Sequence, residues 1–404
     1  MEMFRVAHGT APDWQQAANL CLAQLGSIPA EANLGFLYVT DHLAAQMPEI
    51  LGFFKEQTDI LHWVGSVGVA VCATSQEYND LPALSVMIAD FPPDSFRIFP
   101  AIKSDIAEFA DSRAWCEQTD AHFAVVHGDP RNPKTPGFIA ELAEAIRDGF
   151  LVGGLTSSRG PNFQIAGGLT EGGVSGVLFS GQVSVATALT QGCTPLGQQH
   201  EITECQDNIA IRIDDRPALD VFNEDVGDIL ARDPSRTAGY IFAGFPIKGS
   251  DTGDYIVRNL VGMDPENKLL AVGEYLNAGD TIMFCRRDIR TAFEDLVRML
   301  REIKQRLGRP PKGGVYYSCL GRGAHMFGED SVELKTIRQE LGDIPLVGFF
   351  ANGEISRTVR PLGPESAIQP RRRRQCCCQS CRSGGCPMLR VGPHRPGHVW
   401  PADA

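Results

Sequence analysis

GVYYSCLGRG (Gly314–Gly323) and, after a helix-like stretch, DIPLVGFFANGEI (Asp343–Ile355) form the part of the sequence that decides the fold. Each apolar run ends in a polar loop that contains glycine, and the second run carries a Val-Gly pair. Gly348 of this pair lies 31 residues after Tyr317 of the first run, which is the length of a βαβ unit. A right-handed crossover makes the two strands of such a unit parallel, so both loops should emerge at the same edge of a sheet.

The same pattern occurs twice earlier in the chain. The two copies run from LGFLYVTDH (Leu34–His42) to DILHWVGSVG (Asp59–Gly68) and from AHFAVVHGDP (Ala121–Pro130) to DGFLVGGLTSS (Asp148–Ser158). Gly65 follows Tyr38 by 27 residues, and Gly153 follows Val125 by 28. This repetition predicts three βαβ units. We interpret each Val-Gly pair as the end of a strand, where glycine permits close approach of a ligand; a simple tight turn is the alternative.

Strand-like segments with hairpin punctuation lie between these units and are predicted to be antiparallel strands. The expected fold class is therefore α/β (mixed α+β), with mixed sheets, βαβ units and flanking helices. A chain of 404 residues exceeds what one core usually serves, so we expect two domains. The DDRP turn before a helix-like stretch places the domains at residues 1–216 and 217–356.

The charge of the chain is unevenly distributed. The total is −12, but residues 357–404 carry nine Arg and two acidic residues, a balance of +7, so the preceding residues carry −19. An acidic surface repels phosphate backbones and anionic lipids, which makes nucleic acid and membranes poor partners for the folded part. Small molecules and proteins remain as the expected partners.

The sequence carries no signal for export or membrane insertion. MEMFRVAHGTAPDW, at the start, lacks a basic segment followed by an apolar run, and no later stretch approaches 18 uninterrupted apolar residues. Seven cysteines are scattered before residue 357 without paired spacing, which is typical of reduced thiols. We expect a cytoplasmic protein.

The segment 357–404 differs in character from the rest, since it is rich in Arg, Pro and Cys. Cys378, Cys381, His394 and His398 reproduce a zinc-finger spacing, but Pro393, Pro396 and Gly397 break the helix that would have to carry both histidines. We expect this tail to be disordered or the product of a shifted reading frame. A basic tail that binds nucleic acid is the alternative.

Several of these motifs resemble a known family. SCLGRGAHMFG followed by PLVGFFANGEI resembles the C-terminal signature of FIST domains, and LGFLYVTDH, WVGSVGV and VVHGDP are similar to the companion N-terminal FIST domain. Together they cover about residues 1–356. The resemblance implies a sensory module for small ligands such as amino acids, and some members bind haem and respond to nitric oxide. Similar loops often carry Cys where this chain has Ser66, so thiol chemistry is not expected there.

The loop after the first strand of the third unit is the leading candidate for a binding site. Arg322, with backbone N–H groups near Gly323, is suited to hold an anion. Cys319 is interpreted as shaping the pocket; a nucleophilic role would need a base, for which His325 is the neighbouring candidate. Asn352 and Glu354 suit an ammonium group, and a loop that caps its own backbone is the alternative.

Two further sets of residues complete the candidates. Ser66, Thr156 and Ser157 offer hydroxyl groups in Gly-rich loops, although such residues are common in turns. The candidate haem ligands, with structural histidines as the alternative, are His127, His42 and His325.

Sensor, enzyme and interaction scaffold remain as classes of function. No complete catalytic triad, phosphate-binding loop, metal cluster or dinucleotide fingerprint is found. We therefore expect a small-ligand-binding sensory protein of intracellular signal transduction and not an enzyme, with an amino acid or similar metabolite as ligand and no cofactor. No kinase, methyl-accepting or F-box segment is present, so the signal should pass to a separate partner such as a sensor kinase. A haem-binding nitric oxide sensor, an enzyme that uses Cys319 and a protein-interaction scaffold are the alternatives.

Overall fold

A computed structural model of the chain describes residues 4–146, 150–190, 192–227, 241–246, 255–273 and 275–358. The Arg-, Pro- and Cys-rich tail lies outside the described residues from residue 359 onward, and with it the interpretations of that tail.

The described chain alternates between strands and helices throughout. The helices are α1 (Trp14–Leu25), α2 (Met47–Thr58), α3 (Ala110–Thr119), α4 (Thr135–Ala145), α5 (Ala218–Val226), α6 (Ile289–Leu307), α7 (Ala324–Phe327) and α8 (Val332–Leu341). The strands up to residue 179 are β1 (Phe4–Thr10), β2 (Leu34–Thr40), β3 (His62–Gly68), β4 (Ala70–Ala73), β5 (Gln76–Asn79), β6 (Ala83–Ala89), β7 (Phe96–Ile102), β8 (Phe123–Gly128), β9 (Phe150–Leu155), β10 (Gln164–Ala166), β11 (Gly168–Thr170) and β12 (Val174–Phe179). The later strands are β13 (Cys193–Gln206), β14 (Ile209–Ile213), β15 (Arg216–Pro217), β16 (Ile241–Pro246), β17 (Tyr255–Asp264), β18 (Leu269–Val272), β19 (Thr281–Arg287), β20 (Gly314–Cys319), β21 (Leu346–Ala351) and β22 (Glu354–Thr358). Two 3-10 turns span Asp41–Gln46 and Ile106–Phe109.

The three predicted βαβ units are confirmed. Strands β2 and β3 are parallel neighbours, as are β8 and β9 and, in the third unit, β20 and β21. Antiparallel strands flank these pairs, so the sheets are mixed and the predicted α/β fold class is confirmed. Amphipathic helices cover the pairs; α2, for example, buries Ile50, Leu51 and Phe54 against the first unit.

The Val-Gly pairs do not end strands, and the prediction that they do is wrong. Gly65, Gly153 and Gly348 lie inside β3, β9 and β21, which continue two or three residues beyond them. A side chain at any of the three would overlap the backbone carbonyl of the neighbouring parallel strand. Glycine is required because the two backbones approach each other closely, not because a ligand or a turn lies there.

The same glycines define which residues are equivalent in the three units. The residues opposite them are Leu37, Val126 and Tyr316. The next residues along the chain are therefore equivalent, and these are Tyr38, His127 and Tyr317. Val125, which the sequence spacing suggested, is not the counterpart of Tyr38.

These three equivalent residues meet in the centre of the molecule. The Tyr38 hydroxyl lies 2.5 Å from the Tyr317 hydroxyl and 3.2 Å from Nε2 of His127. Phe349 stacks on the Tyr38 ring, with ring centroids 5.5 Å apart. One strand from each unit thus contributes to a shared buried cluster, in which apolar packing surrounds a short hydrogen-bonded chain.

Seven strands of the second half of the chain form an antiparallel sheet in the order β13-β19-β16-β17-β18-β14-β15. Because β14 also pairs with β13, this sheet closes on itself. Helix α5 packs into its interior with Val221 and Phe222, which contacts Phe284 edge-to-face.

The C-terminal strands belong to the same sheets as strands from the first half of the chain. Strand β21 pairs with β4, and β22 pairs with β9. The described residues up to 358 pack as one compact unit, and the predicted boundary at residue 216 falls within it. Independent folding of residues 1–216 and 217–356 stays a prediction.

Candidate functional site

A cleft of about 660 Å³ opens beside β20. Helix α6 and the segment 182–190 line one part of it, and strands of the first two units line another. The wall combines apolar residues with polar ones that include Asp90, Arg306 and Lys312, and one end carries Tyr316, Ser318, Arg322 and Glu354. A cleft of this size that combines apolar walls with convergent polar groups is a common form of small-molecule site.

Arg322 lies in the loop that follows β20 and is 5% exposed. Its Nε donates a hydrogen bond to Glu333 Oε1 at 2.8 Å, and Nη2 lies 2.7 Å from the same oxygen. Nη1 has no acceptor among the described residues. Gly192 packs over it, where a side chain would overlap Nη1. A buried guanidinium N–H without an acceptor carries a desolvation cost, which a bound anion would relieve.

Glu333, in the first turn of α8, holds this loop in place. It is fully buried and accepts hydrogen bonds from the Tyr316 hydroxyl at 3.0 Å and the Gly323 N–H at 3.0 Å, in addition to Arg322. Glu333 is absent from the candidates predicted from sequence, because a charged residue in a helical stretch is usually solvated. Its place two residues after Ser331, in the first turn of a helix that follows the Arg322 loop, is the signal that was available.

Glu354 begins β22 and lines the same end of the cleft. Its side chain is exposed to solvent. Desolvation by neighbouring protein atoms raises the pKa of Glu354, and the Arg322 and Arg287 guanidinium groups offset only part of this rise. No described cationic residue lies within ion-pair distance of its carboxylate.

Arg287 and Cys193 lie beside this group and were also missed. They pair across β19 and β13. The Arg287 guanidinium lies over the Phe242 ring, 4.5 Å from its centroid, and forms no ion pair with a described residue. Burial raises the pKa of the Cys193 thiol to about 11, so this cysteine is a neutral thiol near neutral pH. The pairing of β13 with β19 places both residues beside Arg322 and Glu354, and no local sequence motif predicts this position.

Cys319 ends β20 next to the site. Burial and the Glu354 carboxylate raise the pKa of its thiol, which disfavours the thiolate. Its sulfur accepts a hydrogen bond from the Gly321 N–H at 3.5 Å, and no described base is hydrogen-bonded to it. His325 is exposed on the short helix α7. This arrangement favours the structural interpretation of Cys319 over a nucleophilic one.

Gly323 and Asn352 do not line the cleft, unlike Arg322 and Glu354. Gly323 adopts a left-handed backbone, with φ of 55°, and its N–H is used by Glu333. Asn352 is exposed and does not line the cleft; its backbone N–H donates to the Leu155 carbonyl at 3.0 Å. Of the predicted pair for an ammonium group, only Glu354 faces the cleft.

The predicted hydroxyl residues do not line the cleft. The Ser66 hydroxyl donates to the Val67 carbonyl. The Ser157 hydroxyl donates to the Phe350 carbonyl at 2.5 Å and accepts from the Val69 N–H at 3.0 Å, so it joins the three units. Thr156 is buried with no partner for its hydroxyl among the described residues.

The three histidines lie in separate environments. His127 is buried in the central cluster, where burial lowers its pKa to about 3 and keeps the ring neutral. His42 lies at the surface beside Asp80, with Nε2 to Oδ1 at 3.1 Å, and His325 is exposed on α7. None of the three lines the cleft. Within the described ranges, no cluster of His, Cys, Asp and Glu side chains is suited to a metal ion.

Three βαβ units around one core define a mixed α/β protein, and the cleft beside the third unit has the size of a small-molecule site. Two family models match the chain, the FIST N domain at residues 33–216 and the FIST C domain at residues 218–357. The chain belongs to the FIST family, whose domains are small-ligand-binding sensory domains in signalling.

Relatives along nearly the full length occur in mycobacteria. An uncharacterized protein of Mycobacterium tuberculosis (strain H37Rv) is 30% identical over 366 residues, which cover 87% of this chain and 94% of the relative. An uncharacterized protein of Mycobacterium bovis is 28% identical over 375 residues, which cover 89% and 94%. Across the described residues, no helix is both long and apolar enough to span a bilayer.

Proposed function

We propose that this chain is a sensory protein that binds a small zwitterion of the amino-acid class at the polar end of the cleft. One observation supports the proposal most directly. Arg322 and Glu354 both line the cleft; among the described residues, Nη1 of Arg322 has no acceptor and the Glu354 carboxylate has no cation within ion-pair distance. A ligand carboxylate fits the guanidinium and a ligand ammonium fits the carboxylate.

The electrostatics of Glu354 support the same ligand. The pKa of Glu354 is raised by desolvation, and a bound ammonium group would favour the ionised carboxylate. Binding should therefore weaken as the pH falls through this raised pKa. The loss should begin at a higher pH than an ordinary glutamate would give.

The proposal does not include catalysis or a cofactor. The raised pKa of the Cys319 thiol and the position of His127 in the packed core support this choice. The output would pass to a separate signalling protein, such as a sensor kinase, and the ligand would act by changing how the third unit packs on the other two.

A thermal-shift series tests the proposal. A zwitterion at a hundred times its dissociation constant should stabilise the chain by about 2.7 kcal/mol. The panel compares amino acids with matched amines that lack the carboxylate and matched acids that lack the amine. We expect the zwitterions to give the largest shifts.

Glu354→Gln is the variant for this experiment because it keeps the shape of the side chain and removes the charge. It should abolish the response to zwitterions, and Glu329→Gln, at an exposed position, should leave the response unchanged. Equal responses of the Glu354→Gln chain and the parent chain would contradict the proposal, as would a panel without any zwitterion response.

A further inference from the structure

His200 on β13 lies between two carboxylates that belong to different elements. Its Nδ1 is 2.6 Å from Oδ2 of Asp214, in the turn between β14 and β15, and its Nε2 is 2.9 Å from Oδ2 of Asp225, near the end of α5. His200 is 7% exposed, and the Asp225 side chain is 12% exposed. One imidazole ring therefore connects a helix, a strand and a turn of the antiparallel sheet.

This geometry requires a charged ring. A neutral imidazole has one N–H donor and one acceptor nitrogen, whereas an ionised carboxylate only accepts hydrogen bonds. Both carboxylates are satisfied at once only by the imidazolium form, which donates from Nδ1 and from Nε2. In a neutral ring, the lone pair of one nitrogen would face a carboxylate oxygen at hydrogen-bond distance. Loss of one proton therefore breaks one of the two connections.

Each carboxylate is also held by contacts of its own. Oδ1 of Asp214 accepts a hydrogen bond from the Glu201 N–H at 2.8 Å, and Asp214 has a left-handed backbone with φ of 49°. The Asp225 carboxylate packs on Gly197, where a side chain would lie 2.2 Å from Oδ1. Gly197 has φ of 64° and lies in the irregularity of β13 that precedes His200. The end of α5 thus fits closely against β13 at this point.

The other groups around the ring do not replace either carboxylate. Glu224 of α5 is exposed and pairs with Arg216 of β15. Strand β19 places the uncharged Ile282 opposite His200, and the Phe284 ring lies 6.4 Å from the imidazole between centroids. The two aspartates are therefore the groups that favour the imidazolium form.

The pKa of His200 agrees with this geometry. Burial lowers it, but the hydrogen bonds to Asp214 and Asp225 outweigh burial and raise it above the ordinary value of 6.5. Burial acts to raise the pKa of Asp214, but the Glu201 N–H and His200 outweigh burial and lower it. Because the pKa of His200 is raised on folding, its stabilising contribution is complete below pH 6.5 and is lost as the pH rises through the folded pKa.

We propose that Asp214, His200 and Asp225 form a pH-sensitive switch, in which deprotonation of the His200 ring releases the end of α5 from β13. The ring gives one proton to solvent, and one carboxylate then faces a nitrogen lone pair. The shorter hydrogen bond joins His200 to Asp214, which the Glu201 N–H also holds, so the connection to Asp225 is the one that opens. This switch responds to alkaline conditions and does not depend on the proposed ligand site.

Nitrogen-15 NMR of the full chain, labelled at histidine, tests the charge on the ring. We expect Nδ1 and Nε2 of His200 both to carry a proton at neutral pH, and to titrate above the pKa of a histidine in an unfolded peptide. His200→Gln identifies the signals of this ring, because they disappear in the variant. A single protonated nitrogen on His200 at neutral pH would overturn the proposal.

Hydrogen exchange of the backbone amides of α5 tests the release. Their protection, corrected for the intrinsic pH dependence of exchange, should fall by about tenfold as the pH rises through the pKa of His200. Helix α1, which packs on the other sheet with β1, is the internal control and should keep its protection. Constant protection of α5 over this pH range would contradict a switch at His200.

Asp225→Asn separates a pH-sensitive switch from a merely structural contact. The asparagine amide keeps the shape of the side chain and can donate to an unprotonated Nε2, so a neutral His200 would keep both connections. The protection of α5 should then change little with pH. Glu224→Gln removes a neighbouring charge from the same helix and should keep the pH dependence of the parent chain. If Asp225→Asn kept that dependence too, the proposal would be wrong.

Discussion

At the scale of single residues, two buried carboxylates lie against the turn at Gly323. Glu333 has four hydrogen-bond donors around it, including Arg322 and the Gly323 N–H. Glu77 lies against the same turn, and neither of its oxygens has a hydrogen-bond partner of good geometry among the described residues. Burial and, next, the Glu333 carboxylate raise the pKa of Glu77 to about 7, although Asn79 and the Ala324 N–H act in the opposite direction.

This raised pKa predicts how stability depends on pH. The folded chain binds a proton at Glu77 more tightly than the unfolded chain does, so Glu77 costs stability as the pH rises from about 4.5 to about 7. Glu77→Gln should therefore gain stability relative to the parent chain over this range, on the order of 2 kcal/mol, and the gain should be constant above it. Urea unfolding at several pH values measures this difference.

Glu329→Gln, at an exposed position, is the control for that series and should show a difference close to zero at every pH. A difference between Glu77→Gln and the parent chain that does not change with pH would show that Glu77 keeps an ordinary pKa in the folded protein.

At the scale of elements, the parallel pairs depend on the glycines inside β3, β9 and β21. Gly348 faces the carbonyl of Tyr316 so closely that a methyl group has no room. Gly348→Ala should separate β20 from β21 locally and destabilise the chain by about 2–4 kcal/mol. Chemical denaturation of the variant measures this loss.

The matched substitution is Gly52→Ala in α2, where a methyl group meets no atom within 4 Å. In the middle of a helix, alanine should stabilise by about 0.5–1 kcal/mol. Opposite signs for the two substitutions are expected. A neutral Gly348→Ala would mean that the strands of the third unit are not as close as described here.

At the scale of the whole molecule, the three units share one core. Phe349 of the third unit stacks on Tyr38 of the first and lies 6.0 Å from His127 of the second, between ring centroids. Phe349→Ala should therefore lower the stability of both halves of the chain together, by about 3–5 kcal/mol. Three of the four Trp residues lie within residues 1–216, so Trp fluorescence reports on the first half.

Phe293→Ala is the control, because Phe293 belongs to the same half as Phe349 but is 39% exposed on α6. It should change stability little. If Phe349→Ala left the fluorescence transition of the first half in place, the two halves would be independent folding units.

The sequence by itself determined the three βαβ units, because each repeats an apolar run, a helical stretch and a second apolar run at nearly constant spacing. The local sequence pattern also identified Arg322 and Glu354 as site candidates, because each is a polar residue in the loop that follows an apolar run. Only the tertiary structure decided which of these groups face the cleft. It assigned Glu333 as the partner of Arg322, placed Asn352 outside the cleft and revealed that the Val-Gly glycines lie inside strands. The physical reason is that strand register and packing between the units bring together residues far apart in sequence, and no local pattern encodes those distances.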